Sequence, residues 1–424
     1  MAKNLRWEKL DNTANIFPVI AGESMTNTYR IMCVLKEDID PELLQEAVNI
    51  ITPKFPGFNQ RLRIGVFWYY FEENGKPAPR VKEEHRYPCR FIHTTKNNSY
   101  MFRVTYFKNR INLEVFHALT DGMGGIGFIR ELTYQYLRLA HPELRAKMGD
   151  NLSEETSLDR EDSFKRNFKR SSGLNYKSGK AFLIKGEKLP YDAIGLIHGF
   201  MPIKELKAAA KSYGCSINDY LIATFVFSTY RSYAGKIEKS KKPIRVAVPV
   251  NLRPFFESIT TKNFFAIISA EFYPQKDDYT FGEIAETVRD SLKSQINKEN
   301  LEKVFSYNLG FEQAFVARAV PLVFKNIGMK VVYRVNALAN TSTITNTGTI
   351  TVLPEYEPYI ETFYSILTLS LGQYIKASIM SYKDTLCLTY SSLLKDTTIQ
   401  KGVFQQIADD NVPVRIETNG VFYE

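Results

Sequence analysis

The sequence reads as a mixed α/β protein, with helices and strands interleaved, built in two successive halves. Three observations carry this. The chain has 424 residues, more than one ordinary hydrophobic core accommodates. Strand-like and helix-like patterns alternate on both sides of residues 150–180. That middle stretch, NLSEETSLDREDSFKRNFKRSSGLNYKSGK, is poor in apolar residues and rich in charges of both signs. It reads as an exposed linker, which predicts domains over 1–150 and 191–424 with a linker over 151–190.

In chain order, Tyr29 to Leu35 is a strand candidate. Asp40-Pro41 opens a helix running to about Ile51, because Asp caps and Pro fits the first turn. Gln60 to Phe71 is a strand or hairpin arm rich in aromatics, and Tyr100 to Phe107 is a further strand. Asn109-Arg110 then turns into an apolar strand at Leu113 to Phe116. After the linker, Ile203 to Tyr213 forms a helix ended by Gly214. Ser216 caps a longer helix ending near Tyr233. Strands follow at Ile244 to Val250 and Phe264 to Phe272, and a helix at Phe281 to Ile296. Ile344 to Val352 is a strand, Tyr374 to Tyr390 a hairpin around Lys383-Asp384, and Thr398 to Ala408 a closing helix.

The stretch with chemistry in it is INLEVFHALTDGMGGIGFIRELTYQYLRLA, Ile111 to Ala140. The strand delivers His117. Asp121 and Gly122 follow, and then a helical pattern carries Ile129, Leu132, Thr133, Tyr136 and Ala140 on one face. A histidine at the end of a rigid strand suits a general base. A carboxylate just behind it need not touch substrate. Gly122, Gly124 and Gly127 also satisfy a dinucleotide fingerprint. A polar Thr-Asp pair separates strand from glycine, however, and no second strand–helix unit repeats, which disfavours a nucleotide-binding oxidoreductase. His85 and His93 lie among charges, His141 follows a helix and His198 stands alone, all reading as structural.

The net charge of +9 suits phosphates, yet Lys and Arg are scattered without a basic helix or nucleic-acid motif, which excludes nucleic acid as the favoured partner. Cys33, Cys89, Cys215 and Cys387 are far apart and form no Cys-x-x-Cys pair. That disfavours a zinc site and a disulfide framework and fits a reducing compartment. The polar start MAKNLRWEKLDN carries no signal core, and no window approaches the ~18 apolar residues of a membrane span. A cytoplasmic location follows as the expectation.

His117-x-x-x-Asp121-Gly122 between strand and helix resembles the motif of the CoA-dependent acyltransferase superfamily, which includes chloramphenicol acetyltransferase and peptide-synthetase condensation domains. The flanks WEKLDNTANIFPVI, FPGFNQRLRIGVFWYY, VAVPVNLRPFFESITTKNFF and the TNTG at Thr345–Gly348 extend the likeness over most of the chain. Bacterial alcohol acetyltransferase-like proteins are resembled best. Condensation domains carry a second histidine where this chain has Phe116, and the plant motif Asp-Phe-Gly-Trp-Gly is absent.

The resemblance implies two similar mixed sheets facing each other across a tunnel. It also implies transfer of an acyl group from acyl-CoA, or from a carrier-protein thioester, to a hydroxyl or amine. His117 is then the base, no cofactor is held, and acetyl-CoA is the co-substrate. Asp121 would form an internal salt bridge. The slot of the family's arginine falls near Asn59, so Arg61 is the first substitute and Arg253 the second. Gly122 would permit a sharp turn. Asn251 to Arg253 matches a loop reaching the tunnel, with Lys262 and Asn263 as candidates for the CoA mouth. Asn346 is either an oxyanion donor or an ordinary turn residue. A two-domain chain can build such a tunnel alone, so a monomer is expected. A binding or scaffold protein of the same fold is the rival reading.

Overall fold

Capping chemistry sets several element boundaries. Asp40 Oδ1 accepts from the N–H groups of Glu42 and Leu43, with Pro41 in the first helical turn. Ser216 and Asp219 form a reciprocal capping box at the start of a long helix. A computed structural model describes residues 6–169, 179–190, 193–313 and 320–423. The first half contains β1 (Trp7–Lys9), α1 (Phe17–Ile20), β2 (Thr28–Leu35), α2 (Pro41–Ile51), β3 (Gln60–Ile64), β4 (Tyr69–Glu73), β5 (Lys82–Glu83), β6 (Phe102–Phe107), β7 (Arg110–Phe116), α3 (Gly122–Ala140), α4 (Pro142–Met148) and α5 (Ser163–Arg166). The second contains β8 (Gly195–Pro202), α6 (Ile203–Ser212), α7 (Ile217–Ser240), β9 (Ile244–Asn251), α8 (Arg253–Phe256), β10 (Phe265–Phe272), α9 (Phe281–Gln295), α10 (Lys298–Gln313), α11 (Leu322–Ala337), β11 (Ser342–Ile350), β12 (Ile360–Ile366), β13 (Ile375–Tyr382), β14 (Thr385–Ser392), α12 (Thr398–Asp409) and β15 (Arg415–Thr418).

Two mixed sheets organise the described residues. A five-stranded sheet runs β12-β2-β7-β6-β5, and a seven-stranded sheet runs β10-β9-β11-β13-β14-β8-β15. A small third sheet, β1-β4-β3, sits beside the first. Alternation along β7 divides its side chains. Ile111, Leu113 and Val115 join the first-half core with residues of α2 and α3. Asn112 and Glu114 face the other way and are also fully buried. A carboxylate placed there needs compensation. Glu114 receives it from Arg30 (Nε 2.8 Å), from Arg103 and from the Cys89 N–H at 2.6 Å.

The second-half core is built on α7, β9, β10, β13 and β14. A smaller cluster joins the two halves, with Met32 and Cys89 against Leu196, Phe200, Tyr364 and Ile366. Between the sheets lies a cavity of about 690 Å³, walled by Arg30, Arg110, His198 and Tyr364 among others. His117 is not one of its walls. The open space therefore lies toward the opposite end of β7 from the histidine.

Three expectations need correction. β12, placed by sequence in the 191–424 domain, pairs antiparallel with β2, with Phe363 opposite Cys33. The first sheet is thus completed by the second half of the chain. Residues 151–169 do not behave as an exposed linker. Asp159 O accepts from Thr261 N at 2.8 Å, and Glu161 O from Thr260 Oγ1 at 2.7 Å. Phe164 is buried against Phe264 and Phe305. A few apolar side chains and the main-chain carbonyls do this anchoring, and the high charge content masked it. Its basic stretch from Lys165 to Lys169 is solvated as expected, in pairs with Asp162, Glu161 and Glu302; Arg170 lies outside the described residues. Finally, the helix expected to end near Tyr233 only kinks there, with φ −135°, and resumes to Ser240.

Candidate active site

β7 ends at Phe116, opposite Thr28 of β2. One further bond, from His117 N to Asn27 O at 2.8 Å, holds the next residue in line with the strand. The chain then turns, Leu119 N donating to Phe116 O, and Asp121 becomes the N-cap of α3. The spacing from His117 to Asp121 is the length of this strand-to-helix turn. Three aromatic rings pack around the imidazole. Phe17 stacks on it at 4.5 Å, Tyr29 meets it edge-on at 5.2 Å, and Phe265 of the second half lies at 5.8 Å.

Asp121 works in two directions. Its Oδ1 accepts from Met123 N at 3.1 Å and Gly124 N at 3.4 Å, closing the first turn of α3. Both oxygens also receive Arg253, Nη1 to Oδ2 at 2.9 Å and Nη2 to Oδ1 at 3.0 Å. Phe264 N adds a further bond at 3.0 Å. The remaining donors of Arg253 reach Thr260 O (2.8 Å), Lys262 O (2.7 Å) and Asn251 Oδ1 (3.2 Å). Every N–H of the guanidinium fork therefore has an acceptor. This pair locks the loop behind His117 to the second half.

A second connection sets the imidazole itself. His117 Nδ1 lies 3.1 Å from Asn263 Oδ1. Asn263 presents oxygen there because its Nδ2 donates to Asp11 Oδ2 at 3.0 Å, and its main-chain N–H donates to the same oxygen at 3.3 Å. The Asp11 carboxylate, held also by Ala14 N at 2.7 Å, can only accept when ionised. The chain of roles thus puts the proton on Nδ1 and leaves the lone pair on Nε2. Nε2 has no hydrogen-bond partner among the described residues. Burial lowers the His117 pKa, against the raising effects of its own carbonyl, Asp121 and Asn263. The ring is neutral near pH 7. Burial likewise pushes the Asp11 carboxyl up to about 6.

No family model matches the chain, and no curated protein matches it. Solved structures do. The trichothecene 15-O-acetyltransferase TRI3 from Fusarium sporotrichioides superposes with a TM-score of 0.63 at 12% identity, covering 97% of this chain and 95% of that one. F. sporotrichioides TRI101, complexed with coenzyme A and T-2, gives 0.61 at 12% identity, with 97% and 99% covered. The first condensation domain of the CDA synthetase gives 0.60 at 12% identity, with the same coverage. The chain has the acyltransferase–condensation fold.

Within the acyltransferase–condensation fold, the residues singled out from sequence separate. His117, Asp121, Asn251, Arg253 and Asn263 converge. Arg61, the first choice for the Asp121 partner, does not; it lies directly across the small sheet from Glu72 and pairs with it at 2.6 Å. Lys262 is no mouth residue. Its side chain is 7% exposed, with Nζ 3.4 Å from Glu8 Oε2. Asn263, 1% exposed, faces the histidine rather than solvent. Gly122 makes no unusual turn. A Cβ there would come within 3.2 Å of Thr347 Cγ2, so it permits close approach of β11. Asn346 Oδ1 takes the Gly348 N–H at 2.8 Å, while its Nδ2 faces Asn218, which fits the turn-residue alternative.

The glycines after Asp121 likewise serve packing. A Cβ on Gly124 would overlap Thr120 Oγ1 and crowd Thr261 O at 2.7 Å, and one on Gly125 would meet Tyr29 Oη at 2.7 Å. The helix start is pressed against protein, with no room for a dinucleotide phosphate.

Sequence reasoning missed Asp11, Phe17, Tyr29 and Lys376. Asp11 and Phe17 stood inside a quoted flank, and nothing local marks their reach to residue 117. Lys376, on β13, is 8% exposed, and its ammonium has no hydrogen-bond or ion-pair partner among the described residues. Burial lowers its pKa to about 7, and its charge depresses that of His117 further. A lysine within a strand carries no sequence signal of such a setting.

Proposed function

We propose that the protein transfers an acyl group from a thioester, acyl-CoA or an acylated carrier protein, to a hydroxyl or amine acceptor. The observation that carries this is the fixed, neutral imidazole of His117, with Nδ1 bound to Asn263 and Nε2 without a hydrogen-bond partner among the described residues. In this reading Nε2 takes the acceptor's proton as its oxygen or nitrogen attacks the thioester carbonyl. The tetrahedral intermediate then expels the thiolate, which receives that proton from the imidazolium. No covalent acyl-enzyme is needed. Asp121 and Arg253 are positioning residues that keep His117 at the junction of the halves. The fold supports the reading, since the superposing structures include acetyltransferases, one of them complexed with coenzyme A.

The test is incubation with acetyl-CoA and a panel of alcohols and amines, reading free thiol. Thiol release that depends on an acceptor and is lost in His117→Ala supports the reading. A panel that includes long-chain acyl-CoA and acylated carrier protein and still yields no acceptor-dependent thiol would favour a scaffold of the same fold.

A further inference from the structure

α11 presents apolar side chains to solvent. Val323, Phe324, Ile327, Val331 and Val335 are each between 57% and 69% exposed. The tip of the β3–β4 hairpin lies alongside, with Ile64 77%, Val66 71% and Trp68 42% exposed. Hydrogen bonds join the two into one surface. Leu322 N donates to Val66 O, Lys325 Nζ to Phe67 O and Asn326 Nδ2 to Tyr69 Oη, each at 2.9 Å. Single exposed apolar residues are ordinary, but a contiguous face of this kind marks an interaction surface.

Charge identifies the partner. Leu322 to Ala337 contains no acidic residue, and its exposed polar groups include Lys330 and Arg334. At the hairpin, Lys9 Nζ stands 4.8 Å over the Trp68 ring. An apolar face with cations at its margin and aromatic side chains alongside suits the boundary between lipid headgroups and acyl chains. A second copy docked by the same face would bring Lys330 and Arg334 against their own equivalents. No helix among the described residues is long and apolar enough to cross a membrane, so the contact would be with one leaflet.

We propose that this face docks on an anionic lipid bilayer. The cations meet lipid phosphates while the valines, Ile327 and Phe324 enter the interfacial layer. The inner side of α11 rests on α1, and Tyr333 Oη donates to Met25 Sδ at 3.0 Å. α1 carries Phe17, the ring stacked on His117. Docking therefore sets the histidine close behind the membrane-facing helix, while binding itself stands independently of the acyl-transfer reading.

Co-sedimentation with vesicles tests this, using phosphatidylcholine alone and an equimolar mixture with phosphatidylglycerol. The full chain should pellet with the anionic vesicles at low salt and be released as salt rises. Ile327→Asp with Val331→Asp should lower partitioning by more than about tenfold. Lys330→Ala with Arg334→Ala should lower it roughly thirtyfold on anionic vesicles only. These solvent-facing changes should leave circular dichroism and thermal midpoint as in the parent. No binding of the parent to anionic vesicles, or equal binding by the aspartate variant, overturns the proposal. A parent dimer that the aspartate variant converts to monomer assigns the face to a second copy and overturns it too.

Discussion

Asp121 and Arg253, 132 residues apart, share a bidentate ion pair at 2.9 and 3.0 Å across the junction of the two halves. Their side chains are 8% and 10% exposed, so solvent screens the pair little. Removing one partner of a buried pair leaves the other uncompensated, at about 3–5 kcal/mol. Asp121→Ala and Arg253→Ala should each lower the thermal midpoint and reduce activity together. Arg253→Lys should rescue poorly, because an ammonium cannot reproduce the fork. An Asp121→Ala protein as stable as the parent yet inactive would make Asp121 a direct participant.

His117→Ala should cut acceptor-dependent thiol release by about 10²–10⁴-fold while the fold persists. The pH dependence carries a sign. Burial favours the neutral ring, so its folded pKa lies below the ordinary value of 6.5. Activity should hold as pH falls through 6.5 and decline only below it. A rate profile with its acid limb above 6.5 would contradict a buried, unprotonated base.

Asp11 separates stability from rate. Burial raises its folded pKa to about 6, above the ordinary carboxylate value of 3.8. The folded state therefore holds the proton more tightly, and the stability so gained is lost as pH rises through 6. Asp11→Asn, which has no charge to bury, should be at least as stable as the parent at pH 8, with the difference shrinking toward pH 5. The carboxylate offers one oxygen to Ala14 N and the other to Asn263, whereas an amide has a single oxygen for both. The hold on Asn263 weakens, the Asn263 oxygen is less firmly presented to His117 Nδ1, and turnover should fall. Unchanged turnover in a well-folded Asp11→Asn would remove the relay from the mechanism.

Lys376→Met should shift the acid limb upward, because a nearby cation is one cause of the lowered His117 pKa. The lysine's own folded pKa of about 7 lies below the ordinary lysine value of 10.5, so its burial costs stability as pH falls from 10.5 toward 7. The methionine variant should accordingly melt higher at pH 7. An acid limb that stays in place would mean the Lys376 charge is not felt at His117.

The fold class and the motif loop were legible because their signals are local. β7 and the amphipathic α3 follow from adjacent residues. Asp40, Ser216 and Gly214 punctuate helices by rules acting within one turn. The long-range choices were not legible. Sequence spacing favours Arg61 over Arg253 as the partner of Asp121; the ladder that places Arg61 opposite Glu72 reverses that order. Lys262 reads as a surface lysine until Glu8, from β1, closes on it. α10, α11 and β12 gave no clear pattern, and β12 is the strand that changes sheets.

That strand governs the order in which the protein can be made. β2 has its outer edge covered by residues Ile360–Ile366, which leave the ribosome long after Leu35 does. Until then the nascent first half carries an open strand edge, from Arg30 to Leu35, able to pair with another chain. A fragment ending at residue 150 keeps that edge permanently and should aggregate. Adding the 360–366 segment back as a separate peptide should restore its solubility. The seven residues of β12 would then act in trans as a chaperone for the domain that carries the histidine.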